Sequence, residues 1–167
     1  PLKKGQRFKK GDLLIRIFCE PSKDRIIIID PSYGMYKVCA DINNVGVDFV
    51  SLNQDFSLDA ERLLSAVRKE TKMVFLCSPN NPSANLLDKA EIIRILSAFT
   101  GMVVLDEAYI DFCGSEGLLP YLEKYQNLVI LRTLSKAWGL AGIRLGMALA
   151  DPEVIRYMNR VKYPYNV

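Results

Sequence analysis

The chain has 167 residues and a formal charge of +3, and half of its residues are apolar. This length suits one compact domain, and the composition is that of a globular protein, which excludes an intrinsically disordered chain. The small net charge and the absence of any apolar stretch near the roughly 20 residues of a membrane helix give no reason to expect nucleic acid or a membrane as a partner.

In chain order, β-branched runs alternate with amphipathic helical patterns. The first half predicts a strand over 25–29, a helix over 33–41, a strand over 46–52, a helix over 58–69 and a strand over 72–77. After a turn-rich stretch, the second half predicts a helix over 87–99, strands over 102–105, 127–131 and 143–150, and a helix over 152–160. This alternation predicts an α/β fold, with a mostly parallel sheet that carries helices on both faces.

Capping and core positions follow from the same patterns. Ser57 and Asp151 are the predicted N-cap candidates of the second and fourth helices. The side chains predicted to face the core are Leu63, Leu64 and Val67 in the second helix and Ile92, Ile93 and Leu96 in the third. Trp138 and the methionines are interpreted as packing residues.

The content of cysteine and histidine limits the chemistry. Histidine is absent, which excludes Ser-His-Asp and Cys-His catalysis within this chain. The four cysteines are widely spaced and form no CxxC pair, so no metal site is predicted. Isolated thiols of this kind suggest the reducing cytoplasm and predict that Cys19, Cys39, Cys77 and Cys113 are buried small apolar residues.

Three of the predicted strands end in loops that are rich in polar side chains. The loops after Cys77, Leu105 and Leu131 supply an Asn, an Asp with a Tyr, and a Thr, a Ser and a Lys, with an Arg farther on. Because ligands bind beyond the carboxyl ends of strands in open parallel sheets, we expect these groups to converge on one crevice. An amine, a carboxylate, neutral donors, hydroxyls and a guanidinium are the groups that pyridoxal phosphate requires.

The amino-acid sequences of these loops resemble those of a known family. The stretches at 78–83 (SPNNPS), 106–109 (DEAY) and 133–146 (TLSKAWGLAGIRLG) closely resemble the fold-type I aminotransferases. Within that group, 31–36 (PSYGMY), 106–112 (DEAYIDF) and 163–167 (YPYNV) are most similar to the histidinol-phosphate aminotransferases. The resemblance implies an atypical N-terminal segment over residues 1–11 and a large domain that binds pyridoxal phosphate over residues 12–167.

The resemblance also implies a role for each matched residue. Lys136 is implied as the lysine that binds the cofactor aldehyde and then moves a proton at the substrate α-carbon, and we expect burial to favour its neutral amine. Asp106 is implied as the carboxylate that faces the pyridine nitrogen. The other implied cofactor ligands are Tyr33 on the ring, Asn81 and Tyr109 at the ring hydroxyl oxygen, and Thr133, Ser135 and Arg144 at the phosphate.

Four of these residues have an ordinary structural alternative. Lys136 can be a solvated charge, Asp106 a helix cap, Asn81 a turn residue and Tyr33 a core aromatic. Glu107 is predicted to point away from its neighbour Asp106, since successive side chains of a strand alternate between faces.

The family implies transfer of an amino group between histidinol phosphate and 2-oxoglutarate in histidine biosynthesis. It further implies a cytoplasmic homodimer that acts on a small amino donor and an oxo acid. The alternatives are a threonine-phosphate decarboxylase, an aromatic aminotransferase, and a truncated domain without activity.

Two features depart from the family pattern. Residues 5–11 (GQRFKKG) stand where the family has a glycine-rich turn that binds the cofactor phosphate at a helix N-terminus. The family's chains are longer and add a second, small domain, so we expect that domain to be missing here. The basic cluster is interpreted as a solvated or unfolded end of the chain, with a binding arm as the alternative, and consists of Lys3, Lys4, Arg7, Lys9 and Lys10.

Overall fold

A computed structural model of the protein describes residues 10–161, with side chains from residue 14 onwards. The helices in this range are α1 (Lys10–Phe18), α2 (Met35–Ile42), α3 (Ala60–Ser65), α4 (Lys89–Ala98) and α5 (Pro152–Val161). The strands are β1 (Arg25–Asp30), β2 (Gly46–Ser51), β3 (Thr71–Cys77), β4 (Met102–Asp106), β5 (Leu128–Thr133) and β6 (Gly146–Ala150). The side chains of the basic N-terminal cluster and the 163–167 motif lie outside the described residues.

The six strands form one sheet in the order β2-β1-β3-β4-β5-β6. Strands β1 to β5 pair in parallel, and β6 pairs with β5 in antiparallel orientation. The predicted mostly parallel sheet is therefore confirmed. Its register places Asp106 beside Cys77 of β3 and Leu131 of β5, so the carboxyl ends of three adjacent strands lie together at one edge.

Helices cover both faces of this sheet, as predicted. On one face, α3 and α4 pack on strand residues such as Ile27 and Val74. On the other face, α1 and α2 pack on residues such as Ile28 and Phe75, and α5 adds partly buried side chains. Because both faces are covered, a strand such as β1 can bury four consecutive isoleucines, which explains its continuous apolar run.

The cap of α3 differs from the prediction. Asp59, and not Ser57, is the N-cap residue, and its carboxylate accepts a hydrogen bond from the backbone N–H of Arg62 at 2.9 Å. The Ser57 hydroxyl instead donates to Asp55 at 2.7 Å. The preceding turn therefore uses the serine, and the helix begins two residues later. The Asp151 carboxylate accepts from the backbone N–H of Glu153 at 2.8 Å, as a cap of α5 would.

Two further predictions need correction. In α4, Ile95 is buried and Ile93 only partly so, because Ile92, Ile95 and Leu96 form the stripe that faces the sheet. The strand predicted over 143–150 begins only at Gly146, because Arg144 has a left-handed backbone with φ of 53° that interrupts the extended run.

Burial also corrects the interpretation of three side chains, one of which is Met147 of β6, interpreted as a packing residue but 38% exposed. Cys19, Cys39 and Cys77 are buried as predicted, but Cys113 is exposed, and Trp138 is 62% exposed. Cys113 and Trp138 lie in loops beyond the carboxyl edge of the sheet, where the helices do not reach. None of the helices between residues 10 and 161 combines the length and apolar character that crossing a membrane demands.

Candidate active site at the carboxyl edge of the sheet

Four loops leave the sheet at its carboxyl edge and carry the candidate site residues. We name them by the strand that each follows: the β1 loop (31–34), the β3 loop (78–88), the β4 loop (107–118) and the β5 loop (134–145). Among the described residues, no group of three or more cysteine, aspartate or glutamate side chains converges as a metal site would require.

Asp106 is the last residue of β4 and is held by donors from two different elements. Its Oδ2 accepts a hydrogen bond from the Tyr36 hydroxyl at 2.8 Å, and its Oδ1 accepts one from the backbone N–H of Ala108 at 3.0 Å. The carboxylate is only partly buried, so a ligand above the sheet edge can reach it. A donor on each oxygen fixes the plane of the carboxylate.

Tyr36 is a site residue that the sequence analysis missed. It is 3% exposed, and its ring centroid lies 5.1 Å from that of Phe75 and 5.5 Å from that of Tyr33. Burial and the charge of Asp106 raise the pKa of Tyr36 well above its usual range, so its hydroxyl stays a donor. Tyr33 itself is 43% exposed at the edge, where an aromatic ring can stack on a ligand.

Lys136 and Tyr109 meet across the β4 and β5 loops. The Nζ of Lys136 lies 5.1 Å from the centroid of the Tyr109 ring, within reach of a cation–π interaction. The prediction that Lys136 is buried is wrong, because residues 136–144 of the β5 loop are all exposed beyond the sheet. The amine is therefore accessible to a ligand from solvent.

The predicted phosphate ligands lie at the end of β5 and in the β5 loop. The Thr133 hydroxyl donates to the carbonyl of Leu145 at 3.2 Å and accepts from the backbone N–H of Ser135 at 3.2 Å. Arg144 follows in the same closed loop, but its guanidinium donates to the carbonyl of Ala141 at 3.1 Å within its own turn. These residues thus lie in one stretch of chain, but the Arg144 guanidinium bonds within its own turn and not to the hydroxyls of Thr133 and Ser135.

Asn80, the neighbour of the predicted ligand Asn81, ties the β3 loop to the β1 loop. Its side-chain amide donates to the carbonyl of Pro31 at 3.0 Å and to the Ser83 hydroxyl at 2.7 Å, and its oxygen accepts from Ser32 at 3.1 Å. Asn80 is 2% exposed, whereas Asn81 is partly exposed and available for a ligand. The sequence does not show which of these two adjacent asparagines ties the loops together and which is available for a ligand.

Glu107 points to the opposite face from Asp106, as predicted. Its Oε2 accepts two hydrogen bonds from the Arg132 guanidinium, at 2.7 and 2.9 Å, and its Oε1 accepts one from the backbone N–H of Leu118 at 2.8 Å. Glu107 is 2% exposed. This buried pair fastens both ends of the β4 loop next to β5, a contact that sequence reasoning did not anticipate.

Comparison with known proteins identifies a family and relatives to which this chain is similar. A model of the family described as aminotransferase class I and II matches residues 10–167. The histidinol-phosphate aminotransferase of Parabacteroides distasonis is 56% identical over 156 residues, which are 93% of this chain and 45% of that protein. That of Bacteroides thetaiotaomicron is 54% identical over the same shares. The chain thus spans less than half the length of these relatives.

Solved structures share the fold. The histidinol-phosphate aminotransferase from Clostridium acetobutylicum has a TM-score of 0.85 at 28% identity, over 94% of this chain and 47% of that one. An aspartate aminotransferase variant from Thermus thermophilus has a TM-score of 0.83 at 24% identity, over 90% of this chain and 43% of that one. The second likeness shows the fold alone.

Proposed function

The chain belongs to the family of class I and II aminotransferases, and on that premise we propose that it forms the cofactor-binding part of a histidinol-phosphate aminotransferase. Relatives of that name are up to 56% identical over 93% of the chain, which supports this substrate over those of other aminotransferases. The observation that carries the proposal is the fixed Asp106 carboxylate at the sheet edge, beside the strand that leads into the loop of Lys136.

The family in general depends on pyridoxal phosphate, and the donor set at the sheet edge suits that cofactor. Lys136 offers an accessible amine for its aldehyde, and Asp106 offers a carboxylate for its ring nitrogen. Tyr33 offers an exposed ring for stacking. The donors proposed for the ring hydroxyl oxygen are Asn81 and Tyr109, and those proposed for the phosphate are Thr133, Ser135 and Arg144.

Pyridoxal phosphate, when bound, supplies an electron-accepting ring that stabilises negative charge on the substrate carbon. The chain's own residues supply the rest of the chemistry. The Asp106 carboxylate would keep the ring nitrogen protonated by a charge-assisted hydrogen bond. The Lys136 amine, once neutral, would take a proton from the substrate α-carbon and return one, as a general base and acid.

We propose a small amino donor, histidinol phosphate, and an oxo acid, 2-oxoglutarate, as the reactants. The proposed compartment is the cytoplasm, supported by free thiols at Cys19, Cys39, Cys77 and Cys113. The proposed assembly is a homodimer. The exposed apolar side chains of Phe112, Trp138 and Ile143 support it, because they offer an apolar contact surface beyond the sheet edge. Sedimentation over a range of concentrations tests the dimer.

A half-reaction tests the substrate. The purified protein, loaded with pyridoxal phosphate, is mixed with histidinol phosphate in the absence of any oxo acid, and its visible absorption band is followed. We expect the band to bleach and to return when 2-oxoglutarate is added, with a much smaller response to aspartate or an aromatic amino acid. A band that does not respond to histidinol phosphate, or release of carbon dioxide from threonine phosphate without an oxo acid, would contradict the proposal.

A further inference from the structure

The buried face of α2 contains one hydroxyl among apolar groups. Tyr36, Cys39 and Ala40 are the buried residues of this helix, and the Tyr36 ring packs on Phe75. A phenylalanine would make the same packing contact without the free-energy cost of burying a hydroxyl. The hydroxyl therefore points to a task beyond packing, and its 2.8 Å hydrogen bond to Asp106 identifies the group on which it acts.

Two donors to Asp106 come from different elements. Tyr36 approaches from α2, and the backbone N–H of Ala108 belongs to the β4 loop. Neither donor can follow the carboxylate if it rotates, because the helix packs on the sheet core and the loop is fastened by the buried Glu107.

The protonation of the neighbouring groups suits this arrangement. The Tyr36 hydroxyl stays protonated, because burial and Asp106 raise its pKa well above its usual range. Burial, followed by the charge of Asp106, raises the pKa of the Cys77 thiol to about 11. Two neutral side chains thus border the carboxylate on this side, and neither adds a positive charge that would compete with a cationic ligand.

We propose that Tyr36 is a positioning residue that sets the orientation of the Asp106 carboxylate toward the ring nitrogen of the cofactor. This inference rests on the proposed function, since the ring nitrogen belongs to pyridoxal phosphate. Tyr36 touches the carboxylate and acts on the cofactor only through it.

A double-mutant cycle in cofactor affinity tests this role. The dissociation constant of pyridoxal phosphate is measured for the wild type, Tyr36→Phe, Asp106→Asn and the double variant. We expect Tyr36→Phe to weaken binding about five- to tenfold, which is less than the full free energy of a hydrogen bond to a charged group, because the lost bond orients the carboxylate and is not made to the cofactor. In the Asp106→Asn background the same substitution should change binding by less than about twofold, because its target is gone.

Two further measurements separate positioning from folding. Tyr125→Phe is the matched control, since it removes an exposed hydroxyl that lies 3.3 Å from the Ser97 hydroxyl, and it should leave cofactor affinity unchanged. At saturating cofactor, Tyr36→Phe should lower kcat about tenfold while KM for the amino donor stays within about twofold.

The outcomes of these measurements distinguish the positioning role of Tyr36 from the proposed function on which it rests. Equal losses from Tyr36→Phe in both backgrounds, or no loss in either, would overturn the positioning role while leaving the cofactor site intact. A wild-type protein that binds no pyridoxal phosphate would overturn the proposed function and this inference with it.

Discussion

The β4 and β5 loops leave adjacent strands at the same edge, yet they are held in different ways. The β4 loop is fastened by Glu107, which is buried and accepts hydrogen bonds from Arg132 and from the backbone of Leu118. The β5 loop is exposed over residues 136–144, and its hydrogen bonds run largely between its own residues and the adjoining end of β5.

This difference divides the candidate site into a fixed part and an open part. Asp106 and Tyr109 flank a buried ion pair, so the groups proposed to hold the cofactor ring are in place before any ligand arrives. Lys136 and Arg144 lie in the exposed loop, so the amine and the guanidinium can adjust to a ligand. One exposed hydrogen bond, from Trp138 to Asp111 at 3.0 Å, joins the two loops.

The largest expected effect comes from breaking the buried pair. Glu107→Gln should lower the free energy of unfolding by about 3–5 kcal/mol, because the Arg132 guanidinium, on a side chain that is 18% exposed, loses its buried carboxylate partner. Urea unfolding measures this loss. Glu153→Gln, which breaks an exposed pair with Arg156, is the matched control and should cause no measurable change. A loss below about 1 kcal/mol for Glu107→Gln would mean that the β4 loop is not fixed by this pair.

Two glycines in the β4 loop sharpen the same point. Gly117 and Gly114 both have positive φ, of 65° and 58°, but a Cβ on Gly117 would overlap the Glu107 carboxylate, whereas one on Gly114 meets nothing within 4 Å. Gly114→Ala should cost about 1 kcal/mol from backbone strain, and Gly117→Ala about 2 kcal/mol more. Thermal or urea unfolding compares them, and equal losses would show that the space around Glu107 is loose.

Cys77, the last residue of β3, is expected to make the free energy of unfolding depend on pH. Burial and Asp106 raise the pKa of Cys77 from 9.0 to about 11, so the folded state retains this proton at pH values where the unfolded chain has lost it. Its contribution to stability is complete below pH 9 and is lost as pH rises to 11, by about 2–3 kcal/mol. Unfolding free energies across this range should fall less steeply for Cys77→Ala, while the exposed Cys113→Ala should follow the wild type.

The smallest expected effect lies in the open part. Trp138→Phe removes the exposed hydrogen bond to Asp111 and should change the free energy of unfolding by less than about 0.5 kcal/mol. A loss above about 1.5 kcal/mol in urea unfolding would contradict the account, since it would mean that the β5 loop is anchored as firmly as the β4 loop.

The sequence was sufficient to predict the sheet, because strands buried on both faces leave continuous β-branched runs such as 25–29. It also indicated that the ends of β3, β4 and β5 lie together, since parallel strands bring their carboxyl ends to one edge. The gathering of loop residues at that edge followed from this rule, whereas their roles came from the family resemblance.

The contacts that order the site were not predictable from local patterns. Tyr36 and Asp106 are 70 positions apart, and only the packing of α2 on the sheet brings them together. The sequence signal for this contact was Tyr36 itself, because a tyrosine on the buried face of an amphipathic helix needs a partner for its hydroxyl. The exposure of Lys136 was missed because burial depends on what covers a loop, which its own residues do not encode.

The most direct test of the account is chemical labelling of Lys136. The protein is loaded with pyridoxal phosphate, reduced with borohydride, digested, and the modified peptide is identified by mass spectrometry. Lys124 is a matched control, because its Nζ lies 5.3 Å from the Tyr125 ring centroid, much as that of Lys136 lies 5.1 Å from Tyr109, but away from the sheet edge. We expect a reduced adduct on Lys136 that Lys136→Arg abolishes and Lys124→Arg does not. An adduct on Lys124 or scattered over several lysines, or no adduct, would contradict it.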